Sequence, residues 1–114
     1  MGCLFCKLIN KERPTDVVYE DDKVFCFEDI NPQAPVHVVV VPKEHVDDLN
    51  GLYRDGKMPI MADLYRGAFE VAKRKGIDHR GFRTVINNGP DGGQIIRHLH
   101  LHVLGGERLG DDLA

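Results

Sequence analysis

Residues 87–105 read NNGPDGGQIIRHLHLHVLG, from Asn87 to Gly105. Three of the chain's six histidines stand here, His98, His100 and His102, each one residue apart from the next. An extended strand sends alternate side chains to opposite faces. The spacing therefore predicts a strand over 98–104 with three imidazoles on one face and Leu99, Leu101 and Val103 on the other, turned to the core. Just upstream, Asn88, Gly89, Pro90, Asp91, Gly92 and Gly93 form a turn-rich loop whose glycines would let backbone N–H groups converge on an anion. The expectation is a phosphate beside a row of imidazoles.

Three readings compete for that row. An exposed strand face could simply be rich in histidine. A metal could be held by all three, but at ~3.3 Å per residue the outer pair has Cα atoms ~13 Å apart, awkward for bonds of ~2.0–2.1 Å to one ion. In the third reading the central His100 attacks phosphorus while its neighbours orient it and bind phosphoryl oxygens. Imidazole is mostly neutral near physiological pH and leaves readily once attached to phosphorus, so a covalent intermediate can form and then hydrolyse.

A chain of 114 residues with 42% hydrophobic content has room for one domain, spanning 1–114, and one modest core. Its net charge of -3, from 15 basic and 18 acidic residues, offers no field for a nucleic-acid polymer or an anionic membrane. A small nucleotide remains possible, held by local donors. The apolar run Val38–Val41 is strand-sized and far short of the ~20 residues of a spanning helix. With no secretory pattern at the N-terminus, the cytoplasm is the expected location. Three cysteines, an odd number, fit a reducing compartment. Cys26 alternates with apolar neighbours and reads as packing, while Cys3 and Cys6 form a Cys-x-x-Cys pair, either half of a zinc site or two free thiols near a helix start.

In chain order, a short helix is expected over 3–11, ended by Pro14, then strands over 16–20 and 23–29 joined in a hairpin at Asp21 and Asp22. A third strand over 36–41 is closed by Pro42, and 45–49 reads as a helical turn, followed by a loop that includes Asn50 and Gly51. A long helix is expected from Pro59 to about Lys75, stopped by Gly76, then strands over 82–87 and 98–104. Hairpin strands with one long helix between the third and fourth make an α+β domain with a mostly antiparallel sheet.

These motifs resemble the histidine triad (HIT) proteins, and within them the Hint branch of nucleoside phosphoramidases. The defining run is His98, Leu99, His100, Leu101, His102, Val103, Leu104; further matches are Phe5-Cys6-Lys7, Tyr19 to Asp22, Asp29 to Pro35, Val41-Pro42-Lys43 with His45, and Asp91 to Gln94. The resemblance implies a HIT-like fold: a five-stranded sheet with one long and one short helix, paired into a homodimer with a continuous sheet. It implies hydrolysis of purine nucleoside 5'-phosphoramidates or related nucleotide conjugates to the monophosphate, through a nucleotidyl-histidine at His100, with no organic cofactor. Other HIT branches imply alternatives, namely dinucleoside polyphosphate hydrolysis or nucleotidyl transfer, or a nucleotide-binding scaffold with little turnover.

The same resemblance assigns residues. Asp29 would accept from ribose hydroxyls and Ile30 would pack on the purine, with Phe5, Leu8 and Phe27 either lining the base pocket or filling the core. Without the resemblance Asp29 reads as a turn aspartate. Asn87 and Gly93 would contact the α-phosphate, His102 would donate to a phosphate oxygen, His98 would orient its neighbour, and His37 would stand behind the triad in a relay, although alone in a valine-rich strand it reads equally as a hydrogen-bonded core residue. Structural zinc would be held by Cys3, Cys6, His45 and His98, as in some bacterial HIT proteins. His79, after the long helix, reads as a solvated residue. Two positions depart from the Hint pattern. Ile95 stands where serine often assists the leaving group, and the segment 105–114 lacks the Trp-Pro-Pro ending of animal relatives.

Overall fold

Valine's branched Cβ favours the pleated strand, and a strand covered on both faces reads as an unbroken apolar run. Val36–Pro42 answers to both, with Val38, Val39, Val40 and Val41 all buried. A computed structural model describes residues 3–111 and places this segment at the centre of a five-stranded sheet. The strands are β1 (Val17–Glu20), β2 (Val24–Glu28), β3 (Val36–Pro42), β4 (Arg83–Val85) and β5 (Leu101–Gly105), in the order β1-β2-β3-β5-β4, every pair antiparallel. The hairpin at Asp21 forms as expected, with Asp21 Oδ1 accepting from the N–H groups of Lys23 and Val24.

Helix α1 (Leu4–Ile9) covers one face of the sheet, packing Phe5 and Leu8 with Phe25, Phe27, Val39 and Val41. The other face takes α3 (Ile60–Arg74), whose Leu64, Ala68, Val71 and Ala72 pack with Val24, Cys26, Val38, Val40, Leu101 and Val103. Gly67 sets the helix-to-sheet distance, since a Cβ there would lie 3.0 Å from Val40 Cγ1. The helix stops at Gly76, whose φ of 71° closes the last turn while Ile77 N–H reaches back to the Ala72 carbonyl.

Two local expectations give way. The helical turn expected over 45–49 does not form; instead α2 (Leu49–Arg54) runs through Asn50 and Gly51, because Asp48 caps it by accepting from Gly51 N–H at 2.8 Å. The fold therefore has two short helices beside the long one. The last strand begins at Leu101, so His98 and His100 precede it. Pro42 has no N–H to extend the ladder beyond the Val40–Leu101 pair, and its carbonyl is taken by the His98 ring.

Candidate functional site

Hydrogen-bond partners fix which ring nitrogen carries the proton on each buried histidine. His98 Nε2 stands 2.8 Å from the Pro42 carbonyl, which can only accept, so Nε2–H donates and Nδ1 keeps its lone pair. That nitrogen faces Cys3 Sγ at 3.2 Å and Cys6 Sγ at 3.6 Å. His45 Nδ1 lies 3.4 Å from Cys6 Sγ while its Nε2–H donates to Asp47 Oδ1 at 2.8 Å. The four ligand atoms lie within 4.8 Å of one another.

Around a tetrahedral ion with bonds of ~2.3 Å to sulfur and ~2.0–2.1 Å to nitrogen, neighbouring ligand atoms stand ~3.3–3.8 Å apart. The three sulfur–nitrogen separations of 3.2, 3.4 and 3.6 Å lie close to this range, and both outward nitrogens are tied to oxygen acceptors as metal-bound imidazoles usually are. The donor set therefore fits zinc, with four protein ligands and no open position. Burial and the neighbouring Cys3 push the Cys6 thiol up to about 11, so a bound cation would be what holds Cys6 as a thiolate.

His100 begins where that cluster ends. Its Nδ1–H donates to the His98 carbonyl at 2.8 Å, which leaves Nε2 unprotonated. Burial lowers its pKa, so the ring stays neutral, and Phe5 presses on it edge-on with centroids 5.0 Å apart. His102 is set from the opposite side. Gln33 N–H donates to His37 Nδ1 at 3.0 Å, which forces the proton of neutral His37 onto Nε2. His37 Nε2–H then donates to His102 Nδ1 at 2.9 Å, so the remaining hydrogen of His102 sits on Nε2. Burial first, then the neighbouring imidazoles, push His102 down to about 4, and burial lowers His37 as well. One imidazole offers a lone pair and its neighbour, with ring centroids 5.1 Å apart, offers an N–H.

Asp29, His37 and His102 also bring three potential ligand atoms within 4.8 Å. The Gln33 N–H argues against a metal there, since a cation on His37 Nε2 would drive a proton onto Nδ1 and into that donor. Asp29 performs its turn role, with Oδ1 accepting from Asn31 N–H at 2.8 Å, while Oδ2 lies 3.3 Å from His37 Nε2.

His100 and His102 open into a 590 Å³ cavity floored by Phe27 and Val39. Phe5 and Leu8 serve both as core and as its wall, and Asp29, Ile30, Asn87 and Gly93 also line it. Ile30 and Ile95 stand at the mouth, 91% and 90% exposed. The glycine loop is a different object from the expected anion cradle. Gly92 N–H donates to the Gly89 carbonyl, Gly93 N–H to Pro90 and Gln94 N–H to Gly89, while Gly89 N–H is taken by Gln94 Oε1. These donors are spent closing the loop. Asn87 Nδ2 gives one hydrogen to the Gly92 carbonyl and keeps its second.

The HIT domain model matches residues 10–109. The chain belongs to the HIT domain family. It is 47% identical over 108 residues to a "14 kDa zinc-binding protein" of Brassica juncea, covering 93% of this chain and 94% of that one. It is 45% identical over 108 residues to "Adenylylsulfatase HINT1" of Arabidopsis thaliana, covering 93% and 72%. Among solved structures, a histidine triad protein from Clostridium difficile superposes with a TM-score of 0.93 at 46% identity, covering 99% of this chain and 97% of that one.

Of the residues that sequence singled out in this HIT domain, His37, His100, His102, Asp29, Ile30, Asn87 and Gly93 gather at or behind one cavity, and Cys3, Cys6, His45 and His98 form the adjoining cluster. His79 stands away from both, in an exposed pair with Asp78. Sequence reasoning missed Gln33, the Pro42 carbonyl and Asp47. The first two act through backbone atoms, which carry no residue-type signal; Asp47, two residues from His45, was visible.

Proposed function

We propose that this HIT protein is a nucleotide hydrolase that cleaves purine nucleoside 5'-phosphoramidates or related nucleotide conjugates to the monophosphate. The observation that carries the reading is the opposed protonation of adjacent rings, with a lone pair on His100 Nε2 and a hydrogen on His102 Nε2. His100 Nε2 attacks the α-phosphorus, the phosphorus–nitrogen bond breaks, and its electron pair leaves with an amine that takes up a proton from solvent, one that the later hydrolysis by water returns. Water then displaces the imidazole and frees the nucleotide. His102 N–H meets the phosphoryl oxygen as charge builds there. In this reading Asp29 Oδ2 accepts from the ribose hydroxyls, Ile30 packs on the base and Asn87 gives its remaining hydrogen to the phosphate, a reading supported by all three lining the cavity. Gly93 contributes close approach rather than a donor, because its φ is 84° and its N–H is engaged. Ile95 cannot donate, so it gives the leaving group no proton.

Zinc at Cys3, Cys6, His45 and His98 would be structural, and the name of the Brassica relative supports it. The cluster ties α1 to His98, whose carbonyl orients His100. A homodimer is proposed through β4, one of the two edge strands of the sheet, beside the exposed rings of Tyr65 and Phe69. No described helix is long and apolar enough to cross a membrane. The cytoplasm is proposed because Cys3, Cys6 and Cys26 form no disulfide among the described residues.

The test incubates the protein with a fluorogenic AMP phosphoramidate and with a diadenosine polyphosphate, using wild type and His100→Ala. Turnover of the first, abolished in the variant, with AMP trapped on one histidine by mass spectrometry, supports the reading. Turnover of the second alone points to another HIT branch, and AMP binding without turnover to a scaffold.

A further inference from the structure

The sheet register lays a row of residues along the cavity floor. His102 pairs with Val39 and Val39 with Phe27, all three lining the cavity, and Phe27 pairs in turn with Val17, just beyond the lining. Directly paired residues point to the same face, and three strand spacings of ~4.8 Å separate the ends of the row by ~14 Å. One end carries the imidazoles. The other is closed by the segment entering β1, where Arg13, Pro14 and Thr15 line the cavity. A nucleotide with its phosphorus at His100 therefore points its base toward Arg13.

The wall around the base is apolar on Leu4, Phe5, Leu8 and Ile30, none of which can tell one purine from another by hydrogen bonding. Arg13 is the only lysine or arginine among the residues lining the cavity. Lys11, two residues earlier, is bound to Glu20 at 2.8 Å and covers the Phe25 ring. Arg13 makes no ion pair among the described residues, and Pro14 restricts its backbone to extended conformations.

We propose that Arg13 is a specificity residue that selects a 6-oxopurine, guanine or hypoxanthine, over adenine. This rests on the nucleotide-binding reading above and names its base. The guanidinium fork donates two parallel hydrogen bonds, and the O6 and N7 edge of a 6-oxopurine accepts both. Adenine places an N6 donor beside N7, so one arm of the fork meets a donor.

Equilibrium binding of GMP, IMP and AMP to wild type, Arg13→Ile and Arg13→Lys tests this without requiring turnover. GMP and IMP are expected to bind wild type about tenfold more tightly than AMP. The ratio should fall to near one in Arg13→Ile and stand between in Arg13→Lys, which keeps the charge but loses the fork. IMP following GMP separates O6 and N7 recognition from the 2-amino group. Equal affinities in wild type, or a ratio unchanged in Arg13→Ile, would overturn the proposal, as would equal weakening of all three nucleotides, the mark of stacking. Base preference without phosphoramidate turnover would refute the hydrolase reading and leave Arg13 standing. Equal turnover of guanosine and adenosine substrates with equal binding would do the reverse.

Discussion

Replacing His37 by alanine removes the donor that fixes the neighbouring ring. In the native arrangement Gln33 N–H, His37 and His102 form a chain with links of 3.0 and 2.9 Å, and its far end is the hydrogen on His102 Nε2. Without His37 the polar group left near His102 Nδ1 is Asp29 Oδ2, at 3.9 Å, which accepts only. A small shift lets Nδ1–H donate to that carboxylate, and Nε2 then turns a lone pair toward the phosphoryl oxygen. Losing a buried hydrogen bond costs about 1–2 kcal/mol. Carried into the transition state, that is a roughly five- to thirtyfold fall in kcat with KM changed less. Stopped-flow or steady-state hydrolysis of the AMP phosphoramidate measures the rate, and nitrogen chemical shifts of His102 report which nitrogen carries the proton. His37→Gln, whose amide can donate, should recover part of the loss. A wild-type rate in His37→Ala, or a His102 still protonated on Nε2, would refute the chain of tautomers.

His102 also makes stability depend on pH. Its folded pKa, pushed down to about 4, lies below the 6.5 of the free side chain, so the unfolded chain takes up the proton first as pH falls. The contribution is whole above about 6.5 and is lost toward about 4, on the order of 3 kcal/mol in total. Thermal unfolding should show a smaller loss between pH 7 and pH 5 in His102→Gln than in wild type, and an equal loss would count against it. Metal analysis should find about one zinc per chain and less in Cys6→Ser, with a lower melting temperature after chelation; a metal-free wild type would end the zinc proposal. Leu64→Ala, at a fully buried position on α3, should cost about 2–5 kcal/mol in denaturant unfolding. A Cβ at Gly92 would lie 2.4 Å from the Asn88 carbonyl oxygen, so Gly92→Ala should disturb the loop and lower kcat. Unchanged kcat would detach the loop from catalysis.

Periodicity and turn chemistry were enough to place the five strands and the long helix, because the short apolar run bounded by turn residues in Val24–Glu28 and helical spacing in Ile60–Arg74 are properties of neighbours along the chain. The histidine row and the paired cysteines likewise announced their chemistry by residue type. Sequence alone did not decide where the last strand begins, because that depends on Pro42 across the sheet. Nor did it decide that the N–H groups of Gly89, Gly92 and Gly93 are spent within the loop. Above all it left open which nitrogen of each imidazole holds a proton. That follows from the Pro42 and His98 carbonyls and the Gln33 N–H, groups every residue but proline possesses in full, and only tertiary structure aims them.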